Sequence, residues 1–151
     1  MEILVMIKKI ALAFCTMLLL AGCSSSVGKH GAGHSQAAAF EKEAGSKVFF
    51  SYDSSSLSHE AQQTLMRQAK WLKEHPAISM VIEGHCDERG TREYNIALGE
   101  RRAHAVKGFL AHHGVDSKRI ETISYGKERP EVIGDNEAAW SKNRRGVTAL
   151  K

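Results

Sequence analysis

The sequence predicts an α+β fold for residues 46–151: one sheet of about four strands, with two long helices and one short helix packed on it. Three observations predict it. Runs rich in β-branched and aromatic residues alternate with segments of helical periodicity, turn residues separate them, and no internal repeat suggests a solenoid. The 151-residue chain has 21 Lys and Arg against 17 Asp and Glu, with 42% apolar and 25% charged residues. Wholesale disorder would need fewer apolar residues, and a disulfide-stapled miniprotein would need more than 3 cysteines. The length suits one ordinary domain and excludes a multidomain enzyme. The net charge of +4 is scattered, without a basic stripe interleaved with aromatics, so nucleic acid is not an expected partner.

Residues 1–22 are expected to be a signal peptide. Lys8 and Lys9 precede an apolar run from Ile10 to Ala21, too short for a permanent membrane span but long enough for a secretory core. The run ends in Leu20-Ala21-Gly22-Cys23, which resembles the lipobox of bacterial lipoproteins. The resemblance implies cleavage before Cys23 and lipidation of its sulfur. Ser24, rather than Asp, follows; by the sorting rule of enteric lipoproteins this implies the outer membrane, with the domain facing the periplasm. One acyl chain binds membranes marginally, whereas the several chains of a lipoprotein hold firmly. With Cys15 removed and Cys23 lipidated, Cys86 is the only thiol left, and no intramolecular disulfide is possible. Residues 23–45 are expected to form a flexible linker, because Ser24 to Ala39 reads SSSVGKHGAGHSQAAA and lacks large apolar residues.

The domain then begins near Ser46. Lys47 to Tyr52 is a β-rich run closed by Asp53 and three serines. Ser58 is placed to cap a helix carrying Ala61, Leu65, Ala69 and Leu72 at helical spacing, and His75-Pro76 stops it. A second strand covers Ile78 to Glu83, followed by a loop from Gly84 to Thr91. The second long helix is predicted with Ile96, Gly99, Ala103, Val106 and Leu110 on its buried stripe, ending at Gly114. Ile120 to Tyr125 reads as the third strand, Glu137 to Asn143 as the short helix, and Val147 to Leu150 as the last strand.

Between the second strand and its helix lies Gly84-His85-Cys86-Asp87-Glu88-Arg89-Gly90, followed by Tyr94-Asn95, Leu98-Gly99 and Arg101-Arg102-Ala103. This pattern resembles the OmpA-like peptidoglycan-binding domain. The likeness extends to Val48-Phe49-Phe50, to Ser124 through Pro130, and to Ser141-Lys142-Asn143-Arg144-Arg145, so it covers residues 47–150. It implies a two-layer α/β sandwich with a mixed sheet. It also implies non-enzymatic binding to the diaminopimelate of peptidoglycan stem peptides, no cofactor, and a partner, the propeller protein TolB, whose surface overlaps the wall-binding site. The family usually has Asp where this chain has Ser51 and a β-branched residue where it has Gly146. The second departure is expected to weaken the last strand by about 0.5–1 kcal/mol.

Diaminopimelate ends in an ammonium and a carboxylate on one carbon, a zwitterion that calls for one anion and one fork donor. By their places in the motif, Asp87 takes the ammonium and Arg102 the carboxylate, which a planar guanidinium fits and a Lys does not. Asn95 stands seven residues before Arg102, so two helical turns align them with Leu98 between. The resemblance places Asp53 at the pocket edge. Two rivals are weaker. A hydrolase using Asp87 and Glu88 lacks the separated, opposed carboxylates of glycoside cleavage. A zinc site at His85 and Cys86 lacks further ligands at suitable spacing, so no metal is expected. His112 and His113 suit a helix C-terminus, Trp71 and Trp140 are expected to pack in the core or at its rim, and Arg144 and Arg145 to anchor the last helix and the pocket base.

Overall fold

The computed structural model describes residues 30–151, with side chains from residue 35 onward. The expected signal peptide and the lipidation site at Cys23 lie outside the described residues. Strands β1 (Lys47–Phe49), β2 (Met80–His85), β3 (Ile120–Gly126) and β4 (Arg145–Leu150) form one sheet in the order β1-β4-β2-β3. β2 and β3 run parallel, while β4 lies antiparallel to β1 and β2, so the sheet is mixed. The helices are α1 (His30–Glu43), α2 (His59–Glu74), α3 (Arg92–His112) and α4 (Glu137–Asn143). α2 and α3 bury the core face of the sheet. The opposite face stays partly open, with Phe49 48% and Ile123 38% exposed.

The end of the expected linker is helical, and the ordered domain starts before Ser46. Ala37, Ala38 and Ala39 are strong helix formers, and the turn that follows supplies what a flexible linker lacks, a large apolar side chain. Phe40 is 1% exposed and meets the Trp71 ring edge-on at 5.0 Å, and Ala44 is buried beside it. Gly45, at φ 75°, ends the helix in the left-handed region, its N–H donating to Phe40 O and Glu41 O. Gln68, wholly buried on α2, donates to Gly45 O at 2.6 Å and accepts from Thr148 Oγ1 at 2.8 Å.

α2 follows the sequence closely: Ser58 caps it by accepting from Ala61 N at 3.1 Å, and Ala61, Leu65, Ala69 and Leu72 are buried. In α3 the buried stripe carries four of the five residues expected on it, Gly99, Ala103, Val106 and Leu110. It runs through Asn95, Leu98, Gly99, Arg102, Ala103, Val106 and Leu110, while Ile96 is 36% exposed. The polar members face the loops at the end of the sheet, which apolar periodicity cannot signal. Gly146 lies under α3, where an added Cβ would stand 3.2 Å from Val106 and 3.4 Å from Phe50. The neighbouring side chains therefore already fill the space a β-branched residue would need.

Candidate ligand-binding site

Three segments meet at the C-terminal end of β2: the loop after β1, the loop Cys86 to Thr91, and the first turns of α3. Thr91 caps α3, accepting from Tyr94 N at 3.2 Å, and Asn95 Nδ2 donates to Arg89 O at 2.8 Å and Thr91 O at 3.0 Å. Asn95 thus fixes the loop to the helix. These segments enclose a cavity of about 120 Å³ lined by Tyr52, Asp53, Cys86, Asp87, Arg89, Gly90, Tyr94, Asn95, Leu98 and Arg102. All five residues expected to hold the ligand, Asp53, Asp87, Asn95, Leu98 and Arg102, therefore share one cavity.

Asp87 is 4% exposed. Its Oδ1 accepts from Arg89 N at 3.1 Å and Arg89 Nε at 3.2 Å, and its Oδ2 from Arg89 Nη2 at 2.6 Å and Arg144 Nη1 at 3.3 Å. Burial alone would raise its pKa, but the hydrogen bonds from Arg89 and Arg144 outweigh it and hold the carboxyl below its ordinary value. Asp87 is therefore ionised at neutral pH. The Arg89 guanidinium lies between two rings, 4.1 Å from the Tyr52 centroid and 4.0 Å from that of Trp140. Arg144, almost buried, also donates to Phe50 O at 3.0 Å and pairs with Glu137. Asp53 adopts φ 52°, a conformation Asp tolerates, and accepts from the Tyr94 hydroxyl.

Arg102 is fully buried, and its guanidinium is committed to the backbone: Nε donates to Ser54 O at 2.8 Å, Nη1 to His85 O at 2.8 Å and Nη2 to Ser51 O at 3.1 Å. Three of its five N–H groups thus knit the β1 loop to the end of β2. Two remain. Ser51 serves through its carbonyl, which any residue would supply, so its departure from the family pattern leaves this contact intact. Tyr52, Arg89, Tyr94, Trp140 and Arg144 also shape the site. Arg89 and Tyr94 stand inside the motif, whereas Trp140 reaches the cavity rim from α4, 53 residues after Asp87, and no local signal marks it.

Among the described residues, no group of three His, Cys, Asp or Glu side chains is arranged to hold a metal ion. The Cys86 thiol is 3% exposed, points to Asn95 O at 3.3 Å, and is pushed up by burial, so it stays protonated. Glu88 Oε1 accepts from Trp140 Nε1 at 3.1 Å. His85, 2% exposed, meets Glu83 Oε2 through Nε2 at 3.2 Å, and its Nδ1 has no partner. Burial first, then the charge of Arg145, hold its pKa below the ordinary value of 6.5. The unfolded chain therefore takes up a proton on His85 that the folded chain refuses, and this contribution to stability is complete above about pH 7 and shrinks as pH falls through about 6.5. Between about pH 7.5 and 5.5 the thermal midpoint should fall more steeply for the wild-type protein than for His85→Gln. Parallel slopes in calorimetry would contradict the assignment. The window is well separated from that of Asp87, whose stabilisation is lost only below about pH 4.

The sequence profile of the OmpA family matches residues 49–144. A peptidoglycan-associated lipoprotein of Mesorhizobium japonicum is 48% identical over 152 residues, covering 93% of this chain and 90% of the relative. One from Haemophilus influenzae is 47% identical over 137 residues, covering 86% and 89%. The crystal structure of the peptidoglycan-associated lipoprotein from Burkholderia pseudomallei shares 42% identity at a TM-score of 0.68, over 70% of this chain and 90% of that one. The C-terminal domain of Helicobacter pylori MotB, at 20% identity and a TM-score of 0.65 over 70% of this chain and 83% of that one, shares the fold.

Proposed function

The chain belongs to the OmpA family, and from that premise we propose that it is an outer-membrane lipoprotein whose domain grips peptidoglycan without covalent linkage and tethers the membrane to the wall. Its relatives are named for association with the wall, not for a reaction, and this chain is a binder rather than an enzyme. The ligand of the site is the free zwitterionic end of diaminopimelate in the stem peptides. The observation that carries this reading is the buried, ionised Asp87 in one small cavity with Arg102, whose two uncommitted N–H groups supply the opposite charge. Asp53 and Tyr94 form the cavity's outer edge, and Leu98 its apolar floor. The anchor at Cys23, after removal of residues 1–22, supplies the membrane end.

A single stem peptide meets only a few charge-assisted hydrogen bonds, each contributing about 1.5–3 kcal/mol before ordering costs, so single-site affinity is modest. Retention is collective. Copies confined at the membrane face a continuous polymer at high effective concentration. The family resemblance of the motif leads to a place in the Tol–Pal system, with TolB competing for the same face and a role in cell division. Pull-down with TolB tests that placement, and failure to capture it points to a wall-binding lipoprotein outside the system.

Asp87→Asn, close in shape but without charge, should weaken co-sedimentation with diaminopimelate-containing sacculi by about 10- to 100-fold while the melting profile stays cooperative. Undiminished pelleting of the folded variant would remove Asp87 from the site. Release of soluble muropeptides by the wild-type protein would instead indicate a hydrolase.

A further inference from the structure

As the site stands, Asp87 has no acceptor position left for a ligand. A carboxylate offers about four, and Arg89 N, Arg89 Nε, Arg89 Nη2 and Arg144 Nη1 take them. An incoming ammonium must therefore displace a resident donor. Arg144 is the harder to move, since its side chain is 7% exposed and also tied to Phe50 O and Glu137. Arg89 is 30% exposed in its side chain, spends two of its five N–H groups on Asp87, and lies in the open slot between Tyr52 and Trp140. That slot keeps a guanidinium at the cavity mouth through contacts that do not depend on Asp87.

We infer that Arg89 is a specificity-determining residue that holds Asp87 as a resident cation, and that a ligand enters by exchange of ion-pair partners, its ammonium taking Asp87 and its carboxylate taking the released Arg89. The inference rests on the diaminopimelate reading proposed above and deepens it. An ammonium alone refills Asp87 but strands Arg89, because the nearby acid Glu137 is already paired with Arg144. A zwitterion restores both pairs, so no charge ends without a partner. Arg102, with three N–H groups fixed on carbonyls, gives the rigid part of the carboxylate contact, and Arg89 gives the exchangeable part. The site thus rejects an amine-only side chain by the cation it already contains, a repulsive element rather than an added attraction.

The test compares full-length lipidated protein in detergent, wild type and Arg89→Ala, binding two labelled stem peptides that differ only in carrying diaminopimelate or lysine at the third position. Wild type should prefer the diaminopimelate peptide by about tenfold or more, and Arg89→Ala should bind the lysine peptide several-fold better than wild type does, shrinking the preference to about threefold or less. In a Trp71→Phe background, Trp140 emission should change when the diaminopimelate peptide binds, and the change should vanish with Arg89→Ala. An unchanged preference in a folded Arg89→Ala protein overturns the inference while leaving the diaminopimelate reading intact. An equal gain for both peptides also overturns it, by making Arg89 a mere plug. No binding of the diaminopimelate peptide by wild type overturns the reading and the inference together.

Discussion

Gly84→Ala is expected to lose about 3 kcal/mol or more of stability and about 10 °C or more in thermal midpoint, if folded protein accumulates at all. A Cβ on Gly84 would stand 1.8 Å from Gly99 O and 2.5 Å from Gly99 C. Both contacts are to backbone, so no side-chain rotation relieves them, and β2 would have to separate from α3. Gly99 makes the reciprocal approach, with a Cβ there 2.3 Å from Ser124 Oγ and 2.9 Å from Gly84 O. Because Asp87 leaves the sheet three residues after Gly84 and Asn95, Leu98 and Arg102 ride on α3, separating the two elements also opens the cavity. Gly84→Ala should therefore lose stem-peptide binding beyond what its unfolded fraction explains. Gly108→Ala is the control: nothing lies within 4 Å of its added Cβ, and replacing a mid-helix glycine should be neutral or stabilising by up to about 1 kcal/mol. Differential scanning calorimetry on the three proteins decides the matter, and equal midpoints for Gly84→Ala and wild type would mean that the helix and strand separate at little cost.

The same pair shows how far the sequence can be read. Both glycines stand in the motif, and Gly99 falls on the buried stripe of α3, but only the crossing of strand and helix explains why neither tolerates a side chain. Periodicity and capping were enough for α2, where Ser58, Leu65 and Leu72 each do what their spacing implies. They failed at α1, whose end docks through Phe40, with Ala39 and Ala44 beside it, too few apolar residues to make a pattern. They failed again at Ile96, because the N-terminal half of α3 buries polar side chains under the loops instead of apolar ones under the sheet. In the site, Asn95, Leu98 and Arg102 stand at helical spacing and the spacing alone aligns them, whereas Asp87, in the loop before α3, is legible only from its place in the motif. Tyr52, Trp140 and Arg144 arrive from other elements, so their convergence on Arg89 and Asp87 is a property of the tertiary structure.

Arg102→Met should cost about 3 kcal/mol or more, although the substitution keeps much of the side chain's apolar volume. The guanidinium is wholly buried, and its removal leaves the carbonyls of Ser51, Ser54 and His85 without the donors that satisfy them. Two of those carbonyls belong to the loop after β1, which carries Tyr52 and Asp53, and the third to the residue before Cys86. Losing Arg102 therefore loosens both walls of the cavity at once. Arg102→Lys should recover only part of the loss, because one ammonium cannot reach three carbonyls arranged for a planar fork. Urea unfolding gives the measurement: a lowered midpoint at unchanged slope for both variants, with Met below Lys. Faster proteolysis between Ser51 and Ser56 in the native state should accompany it, since that loop opens without global unfolding. A wild-type midpoint for Arg102→Met would mean that the carbonyl contacts contribute nothing and that the whole guanidinium is available to the ligand. With the expected loss, weak wall binding by an Arg102 variant cannot be assigned to a missing ligand contact, whereas Arg89→Ala removes a charge at the cavity mouth and reports on recognition itself.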